Sequence, residues 1–182
     1  MRSIYKLVVC SLLTLSITSC EKDLLEKEQY QKEIYLIGAY NRVWTTEVSY
    51  SNEEVKTYFT VSSSGTLALD RDVNVKMKIN EELVDIYNRK YWTVLNEDKY
   101  YKSLDTDLYS IPSLENTVIK HAEGISAEVP VLIKTASLKI DQSYVIPVEI
   151  ESTTGYPIST SGCKMLVLLK LKNDYSGSYQ MS

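Results

Sequence analysis

The sequence predicts an all-β fold: an immunoglobulin-like antiparallel β-sandwich of about seven strands with one short inserted helix. Hydrophobic residues recur with a period of two along most of the chain, the pattern of half-buried strands. Turn-rich stretches such as Ser62-Ser63-Ser64-Gly65 and Ser152-Thr153-Thr154-Gly155 separate the runs. Fifteen tyrosines against one phenylalanine and two tryptophans suit a β-rich, half-exposed protein, because tyrosine joins an apolar ring to a hydroxyl that tolerates water. The Cys…Trp…Cys core of antibody domains is absent, so the architecture is expected without that lineage.

Residues 1–19 have the three parts of an export signal: Arg2 and Lys6, an apolar stretch from Leu7 to Ile17, and small residues before a cleavage point. The apolar stretch falls short of the roughly 20 residues that span a bilayer. Ile17-Thr18-Ser19-Cys20 then places a cysteine at the first position after the cut, and Cys20 is the expected site of lipidation. Residues 20–32 are charged and polar and are read as a lipidated tether, with the sandwich domain over 33–172 and a polar tail over 173–182.

Within the domain the cleanest strands place Val55, Thr57, Phe59 and Val61 on one face, and Val73, Val75, Met77 and Ile79 on another. Three further sets are Ala127 to Ile133, Tyr144 to Ile150 and Cys163 to Leu171, each at alternate positions. Weaker strands are expected over 34–40 and 116–120. Pro130 and Pro147 cannot donate to a ladder, so each is expected at an edge or a bulge. Asn80, Glu81 and Glu82 open a helix that Arg89 and Lys90 close, with Leu83, Ile86, Tyr87 and Tyr91 on helical spacing.

The lipobox-like start, Asp72-Val73-Asn74-Val75, the segment from Tyr109 to Pro112, the strand from Ala127 to Ile133 and Tyr144-Val145-Ile146-Pro147-Val148-Glu149-Ile150 together resemble a known family. It is the immunoglobulin-like N-terminal domain, a domain of unknown function, of Bacteroidetes surface lipoproteins associated with glycan-utilisation systems. The resemblance implies an outer-membrane lipid anchor facing the cell exterior. It also implies a second domain, of which Asp174-Tyr175-Ser176-Gly177-Ser178 resembles the opening, so the tail is read as a remnant of one. A polysaccharide ligand, and an outer-membrane transporter or neighbouring lipoprotein as partner, follow from the same resemblance.

The chemistry of the chain is sparse. It has 182 residues, one histidine and a formal net charge of −4, without a basic run, which argues against nucleic acid. Cys10 leaves with the signal and Cys20 is acylated, so Cys163 is expected as a lone core thiol and no intrachain disulfide can form. His121 is the only base available to a nucleophilic triad and sits in a turn. Asp70-Arg71-Asp72 and Asp105-Thr106-Asp107 lack the glycine turn and distal glutamate of a calcium loop, so no metal or other cofactor is expected. The family-18 pattern of spaced aspartates before a catalytic glutamate does not occur, and no catalytic residue is assigned.

Sugar binding needs less, namely exposed rings that stack on pyranosides with polar groups beside them. The candidates are Trp92, Tyr100, Tyr101 and Tyr109, in the long connection after the helix, with Trp44 and Tyr50 in an early loop. The bland alternative has Trp92 and Tyr109 packing the helix onto the sheet. Two functions therefore stand: a non-catalytic glycan-binding or accessory module of a surface polysaccharide-acquisition system, or a structural spacer or adhesion domain without sugar binding.

Overall fold

The computed structural model describes residues 27–172. The export signal, Cys20 and the tail at 173–182 lie outside the described residues. Ten strands form two sheets. The smaller sheet orders β1 (Ile34–Leu36), β3 (Glu54–Ser63), β8 (Ser126–Lys134) and β6 (Tyr109–Ser110). The larger orders β2 (Val43–Ser49), β10 (Lys164–Lys172), β9 (Tyr144–Thr153), β4 (Val73–Ile79) and β7 (Thr117–Ile119), with the two-residue β5 (Lys102–Ser103) also on β9.

The main core lies between the sheets and is built from the alternating faces. Phe59, Val61, Val73, Val75, Met77, Val129, Val131, Ile133, Ile146, Val148, Met165 and Val167 are all essentially buried. Thr57 joins them at the same register, and its hydroxyl bonds that of Thr46. The sandwich and the one α-helix among the described residues match the sequence expectation, but two details differ. The sheets are mixed, because β2 runs parallel to β10 and β5 parallel to β9. Strands this far apart in sequence need no hairpin between them, so either orientation is open to the pair. The count also exceeds seven by three: β2 is an edge strand without a clear alternation, and β5 and β6 are two-residue pieces too short to show a period.

Both prolines lie at local edges. Pro130 pairs with Tyr58 on one side, whereas β6 reaches only Leu132 and Ile133 on the other. Pro147 faces Leu166 of β10, and on its opposite side β4 stops at Val148 while β5 resumes only at Val145. The missing N–H of proline costs no ladder bond at such positions. The bulge is elsewhere, between Lys76 and Met77 opposite β9.

The gap beside Pro147 is where the chain leaves the sheet to form α1 (Glu82–Tyr91). Asn80 opens it as expected, its side-chain oxygen accepting from the Glu82 N–H at 3.2 Å and its amide donating to Glu149. α1 lies on the outer face of the larger sheet, where Val84, Val145 and Leu166 form a second small core with Val43, Leu83, Tyr87, Tyr101 and Leu168 around it. The inward face is thus Leu83, Val84, Tyr87 and Asn88, while Ile86 and Tyr91 remain exposed.

At the other end of the chain, residues 28–32, assigned to the tether by sequence, rest against the domain. Lys32 pairs with Glu28, whose carboxylate also accepts from the Thr66 and Leu67 N–H groups. These bonds, the one to Lys32 foremost, hold the Glu28 carboxyl down at about 2.

Phe59 is 1% exposed at the centre of the main core. Truncation to alanine is expected to lower unfolding free energy by about 3–5 kcal/mol. Urea denaturation of the two proteins checks this, with Tyr58→Ala, on the opposite face, as the comparison expected to change little.

Candidate functional site

The sequence candidates do not form one group. Tyr101 stacks on Tyr87 of α1, ring centroids 5.1 Å apart and 11° between planes, and Tyr87 also meets Tyr91 at 4.5 Å. Burial, reinforced by the neighbouring tyrosine hydroxyls, pushes the Tyr87 phenol up to about 12. Trp92 is half-buried, with its indole Nε1 enclosed and the Lys99 ammonium 5.6 Å from its ring centroid. Tyr100 is half-buried at the end of the 3-10 turn Val94–Lys99, its carbonyl accepting from the Gln142 amide. Tyr109 lies on the other sheet, in β6, half-buried against the main core, where burial and then the Glu81 charge raise its phenol to about 12. Trp44 and Tyr50 belong to and follow β2 rather than an early loop, and the Tyr50 hydroxyl donates to the Ala136 carbonyl.

The connection after α1 is held by one side chain. Asn88 is 4% exposed, donates from Nδ2 to the Tyr101 carbonyl at 2.9 Å and accepts the Tyr101 N–H at 2.9 Å. It sits on the inward face of α1 and closes the loop from Trp92 to Tyr100 like a clasp.

Beside α1 lies a cleft of about 250 Å³ that contains none of the four sequence candidates. α1 contributes Leu83, Ile86 and Tyr87 to its lining, and the 3-10 turn Ala39–Asn41 with its flank contributes Tyr40 and Arg42. Thr160, Ser161, Cys163 and Lys164 close the end, and Leu166 lies beneath. This turn carries the chain from β1 in one sheet to β2 in the other, and both of its ends are left-handed: Gly38 at φ 88 and Arg42 at φ 60. A Cβ at Gly38 would come within 2.7 Å of the Trp44 ring, so glycine is needed there on two counts. Arg42 adopts the same region with a side chain, at a cost of roughly 1–2 kcal/mol.

Lys164 is paired with Glu149 at 3.2 Å. Burial pushes the Glu149 carboxyl up, but Asn80 and Lys164 outweigh it and the net displacement is downward. The Arg42 guanidinium has no ion pair or hydrogen bond among the described residues. No carboxylate lines the cleft.

Cys163, expected as a core thiol, is half-buried: it packs against the main core and also lines this cleft, with no disulfide partner among the described residues. It precedes the first residue of β10 and keeps the register of Met165, its carbonyl accepting the Ile150 N–H at 2.8 Å. His121 lies in a turn as expected, with Nδ1 2.7 Å from the Asp72 carboxylate, and Asp70 is engaged by Arg71 and the Tyr156 hydroxyl. Among the described residues no three His, Cys, Asp or Glu side chains converge as a metal site would require.

A family profile whose description is that of an N-terminal domain matches residues 30–157. The chain belongs to this family. Solved structures similar to it include proteins from Bacteroides, each matched over part of its length. A multidomain protein including DUF1735 from Bacteroides ovatus aligns at TM-score 0.60 and 20% identity, over 75% of this chain and 43% of that one. A putative carbohydrate binding protein from Bacteroides ovatus aligns at 0.58 and 18%, over 76% and 36%. EndoBT-3987 from Bacteroides thetaiotaomicron, solved with a Man5GlcNAc product, aligns at 0.54 and 20%, over 76% and 30%. The chain therefore spans less than half the length of these three structures, and at such identities the likeness is one of fold. No curated protein sequence matches it.

The sequence missed Tyr40 and Arg42 because nothing local marks them: they stand between a weak strand and a polar one, and their cleft partners lie some forty and some one hundred and twenty residues on. Tyr87 was visible only as part of the apolar spacing of the helix. Asn88→Ala is expected to leave both Tyr101 backbone groups unpaired, at about 1–3 kcal/mol each. Hydrogen exchange should then show lost protection over residues 92–101 before the strands are affected.

Proposed function

We propose that the chain is an outer-membrane lipoprotein, anchored at Cys20 and facing the cell exterior, that serves as a non-catalytic glycan-binding or accessory module of a surface polysaccharide-acquisition system. The observation that carries the binding claim is the cleft, whose two tyrosines and neighbouring Thr160 and Ser161 hydroxyls suit the apolar face and rim of a sugar ring. The family and the carbohydrate-binding description of one fold neighbour support the same reading. A non-catalytic role is supported by the lining itself, because glycoside hydrolysis normally uses two facing carboxylates. Trp92, Tyr100 and Tyr101 enter this proposal as a second surface beside α1, reached through the Tyr87–Tyr101 stack, whereas Tyr109, on the other sheet, stands apart from it.

A spacer or adhesion role is favoured by one observation. Val94 and Leu95, on the 3-10 turn after α1, are 76% and 94% exposed, as a docking contact to a transporter or neighbouring lipoprotein would require.

On a glycan array, the full chain in detergent is expected to retain at least one polysaccharide class. Tyr40→Ala, at a side chain 76% exposed, should weaken retention by about 2- to 10-fold, the worth of one stacked ring, without lowering stability. Trp92→Ala tests the second surface in the same assay. Absence of retention by the unaltered chain, with co-purification of a membrane partner, would decide for the spacer.

The anchor is tested separately. Cys20→Ser is expected to abolish incorporation of labelled palmitate and to move the protein from the membrane pellet to the soluble fraction.

A further inference from the structure

We infer that the cleft selects an acidic sugar unit, and that Arg42 is the residue that binds its carboxylate. The inference rests on the glycan reading above and names the class of sugar. Two cationic side chains and no acid line the cleft. Lys164 is already answered by Glu149, so the uncompensated charge is Arg42. A planar guanidinium presents paired donors in the spacing of a carboxylate, which a lysine ammonium does not.

The backbone of Arg42 is fixed for this task. Its N–H donates to the Ala39 carbonyl at 2.8 Å and its carbonyl accepts the Leu166 N–H at 2.8 Å, tying the turn to β10. Arg42 is the one residue other than glycine with positive φ among the described residues. Glycine or asparagine would hold that conformation with less strain. An arginine there is a local conflict of the kind that functional sites carry.

Size and chemistry narrow the ligand further. The cleft, at about 250 Å³, falls below the roughly 300–1,000 Å³ of pockets that enclose drug-sized molecules. It suits one sugar ring, with the rest of the chain outside. Tyr40 and Tyr87 both line the cleft, from different elements, so a ring entering it meets an aromatic surface while its carboxylate reaches Arg42. Ser161 and Thr160 are placed for ring hydroxyls.

The test is calorimetric titration of the full chain, in non-ionic detergent, with oligogalacturonate, a glucuronate-containing oligosaccharide and sialyllactose, each beside its methyl ester. A sulfated neutral oligosaccharide and an unsubstituted one complete the set. At least one acid is expected to bind about tenfold or more tighter than its own ester, the worth of a charge-assisted hydrogen bond, and to weaken as salt rises. Arg42→Gly should abolish that preference while raising Tm, because it removes the strain together with the charge. Equal binding of acid and ester, binding of the sulfated probe alone, or Arg42→Gly keeping the preference would overturn the assignment. Retention of the neutral probe alone would sink the acidic-sugar inference and leave the glycan reading standing; no binding by any probe would remove both.

Discussion

The burial of β9 and β10 on both faces is the constraint from which the rest of the molecule follows. Met165, Val167 and Leu169 of β10 point into the sandwich, while Leu166 and Leu168 point out of it. On β9, Ile146 and Val148 face inward and Val145 outward. A two-layer sandwich covers only the inner set, and a large exposed apolar patch on the outer set would be unfavourable. α1 supplies the third layer over that patch. Its insertion between β4 and β5 then requires an opening in the ladder beside β9, and Pro147 stands at that opening without an N–H to lose.

The cleft is a by-product of how incompletely that third layer covers the sheet. α1 is ten residues long and lies over β9 and β10, while β2 joins the far side of β10. Between helix and β2 runs the crossover from one sheet to the other, raised on two left-handed residues. The depression that remains has a floor from the sheet and walls from two elements that meet only in the folded state. Its geometry therefore depends on the Gly38–Arg42 turn as much as on the helix.

These relations explain what the sequence could disclose. Strands with one buried face, such as β4, where every second residue from Val73 to Met77 is essentially unexposed, write their structure as a period of two. β2 does not, because only Val48 along it is buried; the rest of the strand is an edge with solvent on one side. β5 and β6 gain their strand character from β9 and β8, across the fold, and carry no signal of their own. The inward face of α1 was legible in part: Leu83 and Tyr87 are as spaced, but Val84 and the polar Asn88 complete it in place of Ile86 and Tyr91. Asn88 is buried because it satisfies a backbone loop thirteen residues ahead, a long-range demand that no periodicity records. The aromatic candidates from Trp92 to Tyr109 are close in sequence, but their grouping in space is set by which element and which face each one occupies.

Electrostatics separate the cleft from the remaining surface. Most charged contacts on the outer faces are exposed pairs, such as Lys76 with Glu151, Lys120 with Glu123 and Lys172 with Glu47. Each loses in side-chain ordering and solvent screening much of what it gains, and such pairs leave no charge for a ligand. Several other cations lie over rings, as Lys56 does at Tyr58 and Lys90 at Tyr91. Arg42 differs through its setting: a guanidinium without an ion pair or hydrogen bond among the described residues, issuing from a backbone tied at both ends and lining the cleft. A carboxylate meeting it there gains a charge-assisted bond together with the apolar contacts of the cleft lining. On one of the exposed strands the same side chain would offer the first of these without the second.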